Sequence, residues 1–435
     1  MNNPHDNRNE VVLIDGGRIP FQRSRSGYND LKAVNLSRMA LEGLITKSGI
    51  HPSVIDLVVM GTVIQEVNTS NIAREAALAA GIPAEVPGYT VTMACISSNL
   101  SLTSAVEQIR SGKVGIAVAG GVETMSDVPI RFPRSFRKKL LAAQKARSIG
   151  DYLSFLFSLR PSDLFPDAPS ITEYSTGETM GESCDKMAAK YGVGREEQDN
   201  YALRSHQKAA EATEKGWLDD QLFPVSFPPD FDLIRHDNTF RADSSLEKLA
   251  QLKPAFIKPY GTVTAGNSSA LSDGASAVLV ASRPKAEELG LKPKVAFRNW
   301  TYVARQPDDE LLIGPALAVP RLLDEAGLTL DEIDVFEFHE AFAGQILTVL
   351  KALDSNKFAK EKLGREKKVG SIPLEKFNSW GGSLSLGHPF GATGTRLIAT
   401  AANRLHHEDG RFALIAACAA GGHGHAMLLE RVEES

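Results

Sequence analysis

Short apolar runs alternate with longer stretches of helical spacing along this chain. Residues 11–14, 57–60, 90–93 and 115–119 are short, apolar and rich in β-branched side chains, and Gly or polar residues bound them. They read as strands. Between them, 30–48, 70–80 and 97–111 carry apolar residues at helical spacing. Strands alternating with helices predict an α/β layered fold.

The second half of the chain repeats the first. Gly49-Ile50-His51-Pro52-Ser53-Val54-Ile55-Asp56-Leu57 answers Gly327-Leu328-Thr329-Leu330-Asp331-Glu332-Ile333-Asp334-Val335. Each copy follows an amphipathic stretch and leads into a strand. Gly112-Lys113 before one apolar strand is answered by Gly410-Arg411 before another. Two matches in the same order predict a duplicated α/β unit, with extra residues in the second copy. Functional residues then belong at equivalent strand ends, facing each other across a pseudo-twofold.

Composition narrows the classes. The 435 residues are 43% hydrophobic and 23% charged, which excludes a disordered or collagen-like chain. A net charge of −5 argues against a nucleic-acid partner. The three cysteines, Cys95, Cys184 and Cys418, lie far apart with no CxxC pair, so a structural zinc site is not expected and a reducing compartment is. Residues 1–10 are polar and lack the apolar core of a secretory signal, and no run is long enough to span a membrane. A soluble cytoplasmic protein is the expectation.

One segment departs from this ordinary picture. Residues 131–160 hold eight Lys or Arg against one acid, Asp151, with Leu141, Ile149, Tyr152, Leu156 and Phe157 interleaved. Such a stretch suits an anionic membrane surface, a partner protein, or a cationic mouth over a phosphate-bearing substrate.

The candidate chemistry lies in four places. Cys95 stands where a strand turns into a helix N-terminus, where free N–H groups favour a thiolate and could hold an oxyanion. His388 stands in Gly387-His388-Pro389-Phe390-Gly391-Ala392-Thr393-Gly394, part of a run with five glycines between 381 and 394. A histidine framed this tightly is placed for proton transfer. His339 and Glu340 follow the strand of the second repeat, either as a surface capping pair or as a donor into a cleft. Cys418 ends an apolar strand before Gly421-Gly422. Two cysteines and two histidines at strand ends make a coherent Cys/His site, with a metal site as its rival.

These segments together resemble the thiolase family, from about residue 11 to 430. The matching motifs are the Cys95 segment, Gly261-Thr262-Val263-Thr264-Ala265-Gly266-Asn267-Ser268-Ser269, the 387–394 run and the Cys418 segment. The resemblance implies a thiolase fold: two duplicated βαβ-type core domains in α-β-α-β-α layers. The first core would take 1–125 and 251–285, the second 286–435, and 126–250 would be a loop domain over a coenzyme A site. It implies that Cys95 takes the acyl group, that His388 deprotonates Cys95, and that Cys418 moves the second proton. His388 and His339 together would stabilise the enolate, and the Cys95 N–H the oxyanion at the ketone. Ser269 and Arg241 would contact coenzyme A, which is a substrate; no permanent cofactor and no metal are implied. Cys184 is given no catalytic role.

Many thiolases carry Asn where this chain has His339. The His-Glu-Ala-Phe version resembles the thiolase subunits of multienzyme fatty-acid β-oxidation complexes. That likeness implies a homodimeric core and a hydratase/3-hydroxyacyl-CoA dehydrogenase alpha subunit as partner, with 131–160 at the partner or the membrane. The expected reaction is degradative cleavage of 3-ketoacyl-CoA. The alternatives are a biosynthetic acetyl-CoA acetyltransferase, a decarboxylating ketoacyl synthase and a non-catalytic carrier.

Overall fold

The computed structural model describes residues 10–167, 171–308 and 310–433. The reading of the N-terminus therefore lies, for 1–9, outside the described residues. Ten strands form one sheet: β1 (Val11–Arg18), β2 (Gln22–Arg23), β3 (Leu57–Gly61), β4 (Gly88–Val91), β5 (Ile116–Glu123), β6 (Ser272–Ser282), β7 (Val295–Ala304), β8 (Val335–Phe338), β9 (Phe412–Ala419) and β10 (His423–Arg431). The order is β4-β3-β5-β6-β1-β7-β10-β9-β8, with β2 paired to β6.

The duplication is visible in this order. Within the first half the run β3-β5-β6-β1 matches β8-β9-β10-β7 in the second, with parallel and antiparallel pairings in the same places. The repeated segment explains itself physically. Gly49 and Gly327 each end a helix in the left-handed conformation, with φ 66° and 68°, which costs glycine nothing. The chain then drops into β3 or β8.

The expected five layers are present, with two amendments. Strands are buried on both faces, so successive residues go to different cores. Val58 and Met60 face the helices Ala33–Ser48 and Ile72–Ala79, whereas Leu57 and Val59 face the interior. There the helices Ser97–Arg110 and Thr393–His407 lie between the two half-sheets, joined by Leu102, Val106, Leu397, Ala401, Ile415 and Met427 in one cluster. Phe336 and Phe338 on the far side of β8 pack with the helices Gly314–Ala326 and Ala343–Leu353. The first amendment is that the half-sheets are not separate: Val12 pairs with Ala296 and Leu13 with Val295. The second is that β6, β1, β7 and β10 run antiparallel to their neighbours, so only the outer strands follow βαβ logic. Strand existence was legible in the apolar runs, but bounds shifted; β5 runs four residues further than its apolar stretch, through Gly120 and Gly121 to Glu123.

Between β5 and β6 the chain leaves the sheet. The helices Met180–Lys190 and Arg195–Glu214 settle on the helix Ala343–Leu353, and Cys184 is buried there. The basic segment forms the helices Arg134–Ala143 and Ile149–Ser158. The second of these buries none of its ten residues. Its Ile149, Leu156 and Phe157 are 81%, 57% and 88% exposed.

Candidate active site

Cys95 and His388 come from equivalent places. Each precedes one of the two central helices, Ser97–Arg110 and Thr393–His407, and the duplication brings these helix starts together. Ala94 holds a left-handed backbone, φ 46°, just before the cysteine. That strain, on the order of 1–2 kcal/mol for a residue with a Cβ, presents Cys95 out of the turn. His388 is fixed by a backbone bridge to Leu271 and by its N–H to Ser272 Oγ at 3.3 Å. Gly391 must be glycine, because a Cβ there would run into the Val122 carbonyl oxygen.

One ring nitrogen of His339, one of His388 and the sulfur of Cys95 lie within 4.8 Å of one another. The two imidazole centroids are 4.0 Å apart. His339 Nδ1 is 2.8 Å from Ser383 Oγ, and His388 Nδ1 is 2.6 Å from Thr393 Oγ1. Cys418, near the end of β9, is buried beside them, close enough that a charge on Cys95 would oppose one on Cys418. All four expected residues therefore converge. The surface reading of His339 and Glu340 fails, since both are fully buried. The Glu340 carboxylate accepts from Tyr201 and Asn378, each at 2.6 Å, from Ser205 at 2.9 Å and from the Leu384 N–H at 3.2 Å. It ties the helix Arg195–Glu214, β8 and the glycine run into one frame behind the histidines.

The electrostatics correct one expectation. Burial pushes the Cys95 thiol up to about 11, against a lowering by the Ala420 N–H. Desolvation outweighs the Ala420 and Cys95 N–H groups that favour the thiolate. Burial, then the Arg396 charge, brings His388 down to about 3. Burial, His388 and Arg396 hold His339 well below the ordinary range. Burial, then Cys95, pushes Cys418 up strongly. The resting site holds neutral thiols and neutral imidazoles, so any charge develops only during reaction. The same Cys95, His339 and His388 atoms offer three ligands to a thiophilic cation.

A cleft of about 300 Å³ opens nearby, lined by Arg23, His206, Thr239, Arg241, Lys248 and Ser268 among others. Arg241 is one of the lining residues. Ser268, not Ser269, faces this cleft, while the Ser269 N–H donates to the Ala341 carbonyl at 3.0 Å. Sequence reading missed Ser383, Thr393, Arg396 and Glu173. Glu173 accepts from the Gly421 N–H at 2.7 Å and so braces the turn after Cys418 from the segment between β5 and β6. Nothing in the local sequence marks it.

Two family models cover almost all of this architecture: the thiolase N-terminal domain over residues 11–284 and the thiolase C-terminal domain over 291–431. The chain belongs to the thiolase family. Among thiolase relatives it is 55% identical to the mitochondrial trifunctional enzyme subunit beta of Mus musculus, over 98% of this chain and 89% of that one. It is 43% identical to a 3-ketoacyl-CoA thiolase of Yersinia pestis, over 97% of this chain and 96% of that one. The Bacillus anthracis acetyl-CoA acetyltransferase structure superimposes with a TM-score of 0.84 at 32% identity, covering 97% of this chain and 99% of that one. The thiolase fold is thus shared with both degradative and acetyl-transferring relatives.

Proposed function

We propose that this thiolase is a 3-ketoacyl-CoA thiolase of fatty-acid β-oxidation, with Cys95 as nucleophile. The observation that carries the chemistry is the meeting of Cys95, His339 and His388 within 4.8 Å beside Cys418. In this reading the Cys95 sulfur attacks C3 of the substrate while its proton passes to His388. The C2–C3 bond breaks, its electron pair goes to C2, and Cys418 protonates that carbon to release acetyl-CoA. His339 donates to the enolate oxygen. The thiol of a second coenzyme A then attacks the acyl thioester. Its proton restores Cys418, and Cys95 recovers its own from His388. Neutral resting groups suit this cycle, because each proton has a stated place to go and return. Arg241, with Ser268 rather than Ser269, would hold coenzyme A at the cleft, and no bound cofactor takes part.

A second reading, a biosynthetic acetyl-CoA acetyltransferase, is favoured by the likeness to the Bacillus anthracis enzyme. The higher identities lie with the beta-subunit and 3-ketoacyl-CoA thiolase relatives. Coenzyme-A-dependent cleavage of short, medium and long 3-ketoacyl-CoA separates the two. Activity on medium and long chains is expected. Activity on acetoacetyl-CoA alone would replace the first reading with the second.

The likeness to a trifunctional enzyme beta subunit supports a complex with a hydratase/dehydrogenase alpha subunit around a homodimeric core. The exposed apolar and basic helices within 131–160 would then rest on an anionic membrane surface. The three unpaired cysteines suit a reducing, cytoplasmic setting. Mixed with its alpha subunit, the protein should elute as one species and sediment with anionic but not zwitterionic vesicles. Two independent species would sink the partnership; sedimentation indifferent to lipid charge would sink the membrane contact.

A further inference from the structure

The proposed cycle asks opposite things of two neighbouring neutral imidazoles. His388 must offer a lone pair to a thiol proton, and His339 must offer a proton to an enolate oxygen. A neutral imidazole carries one proton, and the partner of one ring nitrogen decides where it sits. Both Nε2 atoms are buried and have no hydrogen-bond partner among the described residues. Both Nδ1 atoms meet a hydroxyl. The two hydroxyls are not equivalent.

Thr393 Oγ1 donates to the Pro389 carbonyl oxygen at 3.1 Å. With its proton on that carbonyl, it has only lone pairs to offer His388 Nδ1, 2.6 Å away. His388 therefore carries its proton on Nδ1 and keeps Nε2 bare. Ser383 Oγ instead accepts from the Arg396 guanidinium at 2.6 Å. A guanidinium has donors and no acceptor, so the Ser383 proton needs another destination. His339 Nδ1, at 2.8 Å, is that acceptor. The reverse tautomer would leave the buried Ser383 hydroxyl proton without an acceptor, which is the costly outcome for a polar group cut off from water.

We infer, on the reading of His388 as base and His339 as enolate donor, that Thr393 and the Arg396–Ser383 pair set opposite tautomers on the two histidines. His388 presents a bare Nε2, and His339 presents Nε2–H. Ser383, Thr393 and Arg396 are positioning residues. Arg396 is fully buried, with Glu337 3.8 Å away as its counter-charge. Its charge also opposes protonation of either ring, which preserves the distinction, since an imidazolium donates from both nitrogens.

The test is NMR of the full-length enzyme labelled with ¹⁵N-histidine, correlating ring nitrogens with ring C–H protons at neutral pH. Protonated and bare nitrogens are resolved there, and His339→Asn and His388→Asn assign the signals. Wild type should show Nε2–H on His339 and Nδ1–H on His388. Ser383→Ala should shift His339 toward Nδ1–H and lower kcat and kcat/KM together by about 10-fold to 100-fold. Arg396→Lys, which keeps a donor-only cation, should retain the His339 pattern. Matching tautomers in the wild type, or an unchanged His339 signal in Ser383→Ala, would overturn the inference. Opposite tautomers in an enzyme that cleaves no 3-ketoacyl-CoA would uphold the assignment and refute the proposed activity.

Discussion

Cys95→Ala is expected to lower thiolytic activity by a factor on the order of 10⁴ or more, because no other group replaces a covalent nucleophile. Folding should hardly change, since Cys95 is only partly buried at its turn and alanine keeps the Cβ. The decisive comparison is with Cys418→Ala. Exchange of labelled coenzyme A into an acyl-CoA needs only acyl transfer to and from Cys95. It should persist in Cys418→Ala, while C–C cleavage collapses for want of a proton donor to C2. Mass spectrometry of wild type incubated with acyl-CoA should find the acyl group on the Cys95 peptide. Retained exchange in Cys95→Ala would move the nucleophile elsewhere, and retained cleavage in Cys418→Ala would free Cys418 of its acid role.

The largest stability effect is expected at a buried ion pair that anchors the segment between β5 and β6 to β1. Arg18, at the end of β1, grips both carboxylate oxygens of Asp237, and the same carboxylate accepts from the Phe21 N–H at 2.6 Å. Both side chains are essentially inaccessible. Asp237→Ala leaves the guanidinium charged and unpaired inside the protein, at a cost of about 3–5 kcal/mol. Thr239 and Arg241, two and four residues along, line the cleft beside the site. The same change should therefore raise KM for coenzyme A as well as lower Tm. Thermal unfolding and initial rates measure both. The control is Arg18→Met with Asp237→Leu, which removes both charges and should recover most of the lost stability. A single variant as stable as wild type would show the pair to be solvated in solution.

Much of this molecule is decided locally and is legible in the chain. Strands were visible because each is an apolar run bounded by Gly or polar residues, and the repeat was visible because Gly49 and Gly327 meet the same helix-ending requirement. The site's reactive members were also visible. Cys95, His388, His339 and Cys418 stand beside sharp turns whose glycines and strand ends leave a mark. What the chain did not reveal depends on groups far apart in sequence. Continuity of the sheet rests on two residue pairs between β1 and β7. The upward push of burial on the Cys95 thiol was not legible, because desolvation is summed over everything packed around the group. Glu173, Ser383 and Arg396 carry no motif, and their meaning comes only from the atom each one faces. Which reactive side chains meet at the candidate site was therefore written in the sequence. Where their protons rest was decided by tertiary structure, because burial and hydrogen-bond direction exist only once distant segments meet.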